Sequence, residues 1–123
     1  MKTPLKITSI DHVVLHVKDL SRAKKFYVDL LGMKVAHESS WQLFLQCGKQ
    51  GVGLFEVEKR VKLHAGGDIN HMAFRLKSGD YQQVKALLEE AGIEVTGRVG
   101  DPYCIYFNDP DNHRLQLLTP GEQ

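Results

Sequence analysis

The sequence predicts an α+β fold of two tandem βαβββ modules. Three observations carry that prediction: an internal repeat, strand-type alternation at the start of each copy, and a helical stripe closed by glycine after it. Ile10-Asp11-His12 returns as Ile69-Asn70-His71, 59 residues later. Leu15 and Val17 then meet Phe74 and Leu76, and Lys18 meets Lys77. One extra residue near Gly79 raises the offset to 60, so that Gly32 meets Gly92 and Val35 meets Val95. A match that runs in order through two segments marks a duplication. Residues 1–123 therefore read as one domain made of two repeats, about 6–58 and 68–119, joined by Lys59 to Gly67.

Each copy opens on a strand. Val13, Leu15 and Val17 form its apolar side, with Met72, Phe74 and Leu76 as their counterparts. A helix follows in both. In the first, Ser21 is the expected N-cap, Ala23, Phe26, Tyr27, Leu30 and Leu31 form the stripe, and Gly32 ends it. In the second, Asp80 caps, Tyr81, Val84, Leu87, Leu88 and Ala91 form the stripe, and Gly92 ends it. Three extended runs close each copy: 33–37, 42–47 and 52–58, then 93–98, 103–107 and 114–118. Residues 48–51 and 108–112 supply the last turns, the second marked by Asp109-Pro110-Asp111. The helix must cover the apolar side of its sheet. His12, Val14 and His16, with His71, Ala73 and Arg75, are left on the other side, read here as a concave, polar-lined cleft.

Composition narrows the classes. Hydrophobic residues make up 42% of the chain and charged residues 25%, as in a soluble globular protein, which excludes disordered and collagen-like chains. Sixteen Lys and Arg against fifteen Asp and Glu, with no block of like charge, argue against a nucleic-acid partner. No stretch approaches the ~20 apolar residues of a membrane span. The expectation is a soluble, cytoplasmic protein that engages no membrane. Two cysteines, Cys47 and Cys104, are too few for a disulfide scaffold and read as reduced thiols.

The offset of 60 also sets Glu56 against Gln116. Each lies between apolar neighbours, so simple alternation points both away from the helix, onto the face of His12 and His71. His12, Glu56, His71 and Gln116 then form a candidate metal quartet, two imidazoles with a carboxylate and an amide oxygen. Such ligands suit divalent Zn, Ni, Mn or Fe. Four protein ligands around an octahedral ion leave two adjacent positions for neighbouring substrate oxygens, and the ion would act as a Lewis acid. Hydrogen-bonded interior histidines are the competing reading of His12 and His71. His16 and Arg75 are candidate contacts for substrate anions, or solvated strand ends. Trp41, Tyr103 and Tyr106 would line the pocket or pack the core.

At these residues the chain resembles the vicinal oxygen chelate superfamily, which includes glyoxalase I, fosfomycin-resistance transferases, extradiol dioxygenases and bleomycin-resistance proteins. The resemblance is carried by residues 10–15, by Phe26-Tyr27 with Leu31-Gly32-Met33, and by residues 107–112. It implies paired modules forming a cupped mixed sheet around a central metal or ligand cleft. It also implies a homodimer and one divalent metal ion held by the first and last strands, at His12, Glu56, His71 and Gln116. Most metal-dependent members carry glutamate where this chain has Gln116, so Glu56 becomes the candidate catalytic base. The resulting expectation is a glyoxalase-like isomerase or lyase that chelates vicinal oxygens of a small-molecule substrate. The alternatives are a metal-free binding protein of the bleomycin-resistance type and, ranked lower, a non-haem iron dioxygenase.

Overall fold

The structure is a computed structural model that describes residues 8–64 and 69–120. The expected module starts at 6 and 68, and the last residues of the link, 65–67, lie outside the described residues. The chain divides into two compact units between Val61 and Lys62. Each is a four-stranded mixed sheet with a helix on one face, and each repeats one strand order.

In the first unit the order is β1-β4-β3-β2, with β1 at His12–Val17, β2 at Lys34–Glu38, β3 at Gln42–Cys47 and β4 at Gln50–Glu56. β1 runs parallel to β4, while β2, β3 and β4 are antiparallel neighbours. The chain starts β4 two residues earlier than expected because the turn is tight enough for Cys47 to pair with Gln50. Val17, Leu43, Leu45, Val52 and Leu54 are buried on the face that takes the helix. That helix, α1, spans Leu20–Lys24 and widens into a π-helical turn over Lys25–Leu30. There the Leu31 N–H donates to the Phe26 carbonyl, five residues back, at 3.0 Å. The wider turn lets two consecutive residues, Phe26 and Tyr27, both enter the core, where their rings meet edge to face at 5.2 Å. The N-cap is Asp19 rather than Ser21: its side chain accepts from the Arg22 N–H at 3.0 Å. Ser21 is exposed inside the first turn.

The second unit has β5 at Met72–Arg75, β6 at Thr96–Arg98, β7 at Asp101–Asn108 and β8 at Arg114–Leu118, in the order β5-β8-β7-β6. Again the first strand is parallel to the last. β6 is shorter than the expected 93–98 and its pairing shifts between Thr96 and Arg98. Ile105, Phe107, Leu115 and Leu117 are buried beneath α2, Tyr81–Glu90, which contributes Leu88 to the same core. α2 is capped as expected. Asp80 accepts from the Gln83 N–H at 2.9 Å while the Gln83 side-chain oxygen accepts from the Asp80 N–H at 3.0 Å. Gly92 follows at φ +80, a conformation that costs other residues strain. Replacing Asp80 by alanine removes the side-chain acceptor of this box while leaving the backbone N–H to Gln83, and is expected to cost about 1 kcal/mol in urea denaturation. An unchanged midpoint would show that water caps α2 equally well.

Candidate functional site

Strand register decides which residues share the open face. In β1 and β4 the pairs are His12 with Gly51, Val14 with Gly53 and His16 with Phe55 on one face, and Val17 with Glu56 on the other. Glu56 therefore lies on the helix side, where its Oε2 accepts from the Leu20 N–H at 2.7 Å. This corrects the expectation that Glu56 shares the face of His12, on which its assignment as metal ligand and base rested. The cause is connection length. The β3–β4 turn is Gly48 and Lys49, and the β7–β8 turn holds five residues, 109–113. Phe44 opposes Gly53 as Tyr106 opposes Gln116, so the offset is already 62 in the third strand of each unit, and one further residue in the last turn makes it 63. The net shift from 60 is odd, and an odd shift carries a side chain to the other face.

The structural counterpart of Gln116 is consequently Gly53. Gln116 stands beside Ala73 as Gly53 stands beside Val14. A Cβ at Gly53 would lie 3.0 Å from a ring carbon of Phe44 and 3.1 Å from Val14 Cγ2. In the first unit this position is thus filled by neighbouring apolar side chains and offers no ligand. Glu56 instead acts as a carboxylate at the start of α1, where it satisfies an amide the helix cannot pair and opposes the positive end of the helix dipole.

The two histidines keep the expected face and share a device that sequence reasoning overlooked. His12 Nδ1 lies 2.8 Å from Asp11 Oδ2, and His71 Nδ1 lies 2.8 Å from Asn70 Oδ1. Both partners are acceptors, so each Nδ1 carries the hydrogen and each Nε2 keeps its lone pair when the ring is neutral. The signal was present in the repeat itself, where Asp11 and Asn70 are equivalent residues with one function. His12 and Asp11 border a cavity of about 380 Å³ with Ala36, Phe44, Lys49 and Gly51.

On the open face of the second unit, Gln116 and Tyr106 are opposite one another and Ala73 is on Gln116's other side. Gln116 is only 7% exposed, and its Nε2 donates to Cys104 Sγ at 3.3 Å, which turns the amide oxygen away from the thiol. Tyr106 is buried between two groups: His71 meets its ring edge-on at 5.1 Å, and the Arg114 guanidinium lies over it at 4.3 Å. Arg98, held above its ordinary pKa by Cys104, Tyr106 and Asp101, borders the same residues. Of the two expectations for Tyr106, the packing one holds, since the residue is buried. Arg75 and His16 lie on the open faces of β5 and β1, exposed. Among the described residues no three His, Cys, Asp or Glu side chains gather into a ligand cluster. The donors are distributed as one imidazole in the first unit, and one imidazole with an amide in the second.

Cys47 and Cys104 are both free; Cys104 is buried, and partial burial pushes the Cys47 thiol up. No helix among the described residues is long and apolar enough to cross a membrane.

A duplicated βαβββ unit, with a histidine opening the first strand of each copy, defines a class of proteins that present polar groups from an open sheet face. The chain belongs to one family of that class, the glyoxalase/bleomycin resistance protein/dioxygenase superfamily, whose model matches residues 9–117. It is similar to the metallothiol transferase FosB of Staphylococcus saprophyticus, 30% identical over 117 residues that cover 92% of this chain and 78% of that one. It is equally similar to the glutathione transferase FosA of Serratia marcescens, 30% identical over 90% of this chain and 80% of that one. Among solved structures, the glyoxalase family protein of Enterococcus faecalis superposes with a TM-score of 0.71 at 26% identity, covering 89% of this chain and 95% of that one.

Proposed function

We propose that this chain is a metal-dependent enzyme that takes a small molecule by two neighbouring oxygens and transfers a thiol to it, with His12, His71 and Gln116 as the metal donors. The observation that carries the reading is the matched pair of Nδ1 hydrogen bonds, which leaves both imidazoles ready to donate through Nε2. Histidines that ligate metals characteristically have their other nitrogen held in this way. Two imidazoles and an amide oxygen suit a borderline divalent ion, Zn, Ni, Mn or Fe, held less tightly than by a set that includes a carboxylate. A divalent ion held there supplies Lewis acidity to the substrate oxygens. The chain's own groups do the positioning. Asp11 and Asn70 fix the rings, Tyr106 supports His71 from the side, and His16 and Arg75 stand on the same faces as candidate substrate contacts.

Thiol transfer is preferred to glyoxalase-type isomerase or lyase chemistry because the two named relatives at 30% identity are both thiol transferases. In such a transfer the sulfur of a small thiol bonds to an electrophilic carbon of the substrate. The bond from that carbon to its oxygen breaks, the oxygen keeps the electron pair, and the thiol proton ends on that oxygen or in solvent. Glu56 has no place in this scheme. Homodimer formation and a cytoplasmic location belong to the same proposal, the second supported by two free thiols.

The test is metal content by plasma mass spectrometry on protein purified without chelator. The expected result is near one divalent ion per chain, lost in the His12→Ala/His71→Ala double variant. In Asp11→Ala, affinity should fall about tenfold through loss of the positioning bond alone. No metal after soaking with Zn, Ni, Mn and Fe would overturn the reading in favour of a metal-free binding protein.

A further inference from the structure

Among the described residues of the second unit, Arg114 is a cation held by an aromatic ring. Arg114 lies over the Tyr106 ring at 4.3 Å, and among the described residues no carboxylate pairs with it. Stacking holds the plane of the guanidinium and leaves its N–H edges for other partners. Arg114 borders a cavity of about 420 Å³, lined also by Gly92, Glu94, Thr96, Asn108 and Pro110. This is the size of a small-molecule site. Thr96 and Asn108 belong to the same open face: Thr96 is paired with Tyr106, and Asn108 with Arg114. They add a hydroxyl and an amide beside the cation. Asp109, the second carboxylate of the lining, is committed to the turn through both of its oxygens.

We propose that the cavity beside Arg114 binds an oxyanion, a carboxylate or a phosphate-type group, carried by the same small molecule whose neighbouring oxygens the histidine site takes. The planar guanidinium fork matches two oxygens of such a group, and Asn108 and Thr96 can donate to a third. Placement supports a shared ligand, because Arg114 and His71 lie against the same Tyr106 ring. The substrate is then a small oxygenated acid, anchored by its charge at Arg114 while its reacting oxygens lie toward His71. The shared-ligand part rests on the proposed function, whereas the anion site belongs to the second unit alone.

The test uses metal-free full-length protein and nitrogen-15 NMR of arginine Nε–Hε and backbone amides. Inorganic phosphate and, separately, acetate are titrated at constant ionic strength. Saturable shifts are expected at the Arg114 Nε–Hε and at the Thr96 and Asn108 amides, with one probe or both, and the responding probe names the anion class. Arg114→Gln should weaken the binding at least tenfold, the scale of a charge-assisted hydrogen bond. Arg114→Lys keeps the charge without the fork and should weaken it about threefold or more. Because the titration is made on metal-free protein, failure of the metal reading leaves this result legible. No saturable shift with either probe, or unchanged affinity in a folded Gln or Lys variant, would overturn the proposal.

Discussion

Replacing Gln116 by glutamate is expected to tighten divalent-metal binding about a hundredfold, or ~3 kcal/mol. That is the scale on which ligand charge acts beside a divalent cation at a partly desolvated position. Gln116 is nearly buried, beside Ala73 and opposite Tyr106 on the face that His71 opens. Glutamate has the same length, so the substitution adds charge without changing reach. The partner also tolerates it, since the Cys104 thiol that now accepts from the amide can donate to a carboxylate. Competition with a chromophoric chelator would measure the gain. Unchanged affinity in a folded protein would remove Gln116 from the donor set. Glu56→Gln in the same assay should leave metal affinity untouched. Its only expected effect is a loss of about 0.5–1 kcal/mol at the start of α1, where a neutral acceptor replaces a charged one against the Leu20 N–H. A large loss of metal affinity in Glu56→Gln would instead restore the carboxylate to the site.

These two side chains mark where the sequence was legible and where it was not. Both histidines, their face and the βαβββ succession of each unit follow from a repeat and from the period of two along a strand, and the capping of α2 follows from Asp80 ahead of its helical stripe. Those signals are local and survive a change of loop length. The equivalence of Glu56 and Gln116 depended on counting across a turn. The offset grows from 60 to 62 before the third strand, which keeps the face, and one further residue in the five-residue last turn of the second unit makes it 63, which does not. In a helix a slip of three residues nearly preserves the face, whereas in a strand it reverses it. Asp11 and Asn70 were in view as part of the repeat, but their function lies in a hydrogen bond between adjacent side chains, which spacing does not reveal. Arg114 was hidden for another reason. Its significance comes from Tyr106, eight residues away in sequence and brought beneath it by antiparallel pairing.

The same five-residue turn carries the largest expected stability effect. Asp109 is buried, and its Oδ1 accepts from the Asp111 N–H at 2.9 Å and the His113 N–H at 2.8 Å, while Oδ2 meets His113 Nδ1 at 2.7 Å. Asn112 adopts a left-handed φ of +67 within the turn. Asp109→Ala leaves two backbone amides and an imidazole without their acceptor and is expected to cost about 3 kcal/mol in urea denaturation. Asp109→Asn keeps an amide oxygen for the backbone donors and should cost about 1 kcal/mol. The two variants separate through pH. The hydrogen bond to Asp109 raises the His113 pKa above its ordinary value; burial opposes it, and the charges of Asp109 and Asp111 add to it. A folded-state pKa above the unfolded one means that the native chain holds the proton more tightly. The contribution is therefore complete below the ordinary histidine range and declines as pH rises through the raised native value. Native protein should accordingly lose stability across that interval, and Asp109→Asn, without the charge that holds the proton, should show a flatter profile. If the slope persists unchanged in Asp109→Asn, the pair does not titrate as a unit. The turn would then be held by its backbone acceptors alone, and the register that places Gln116 on the open face would owe nothing to the ion pair.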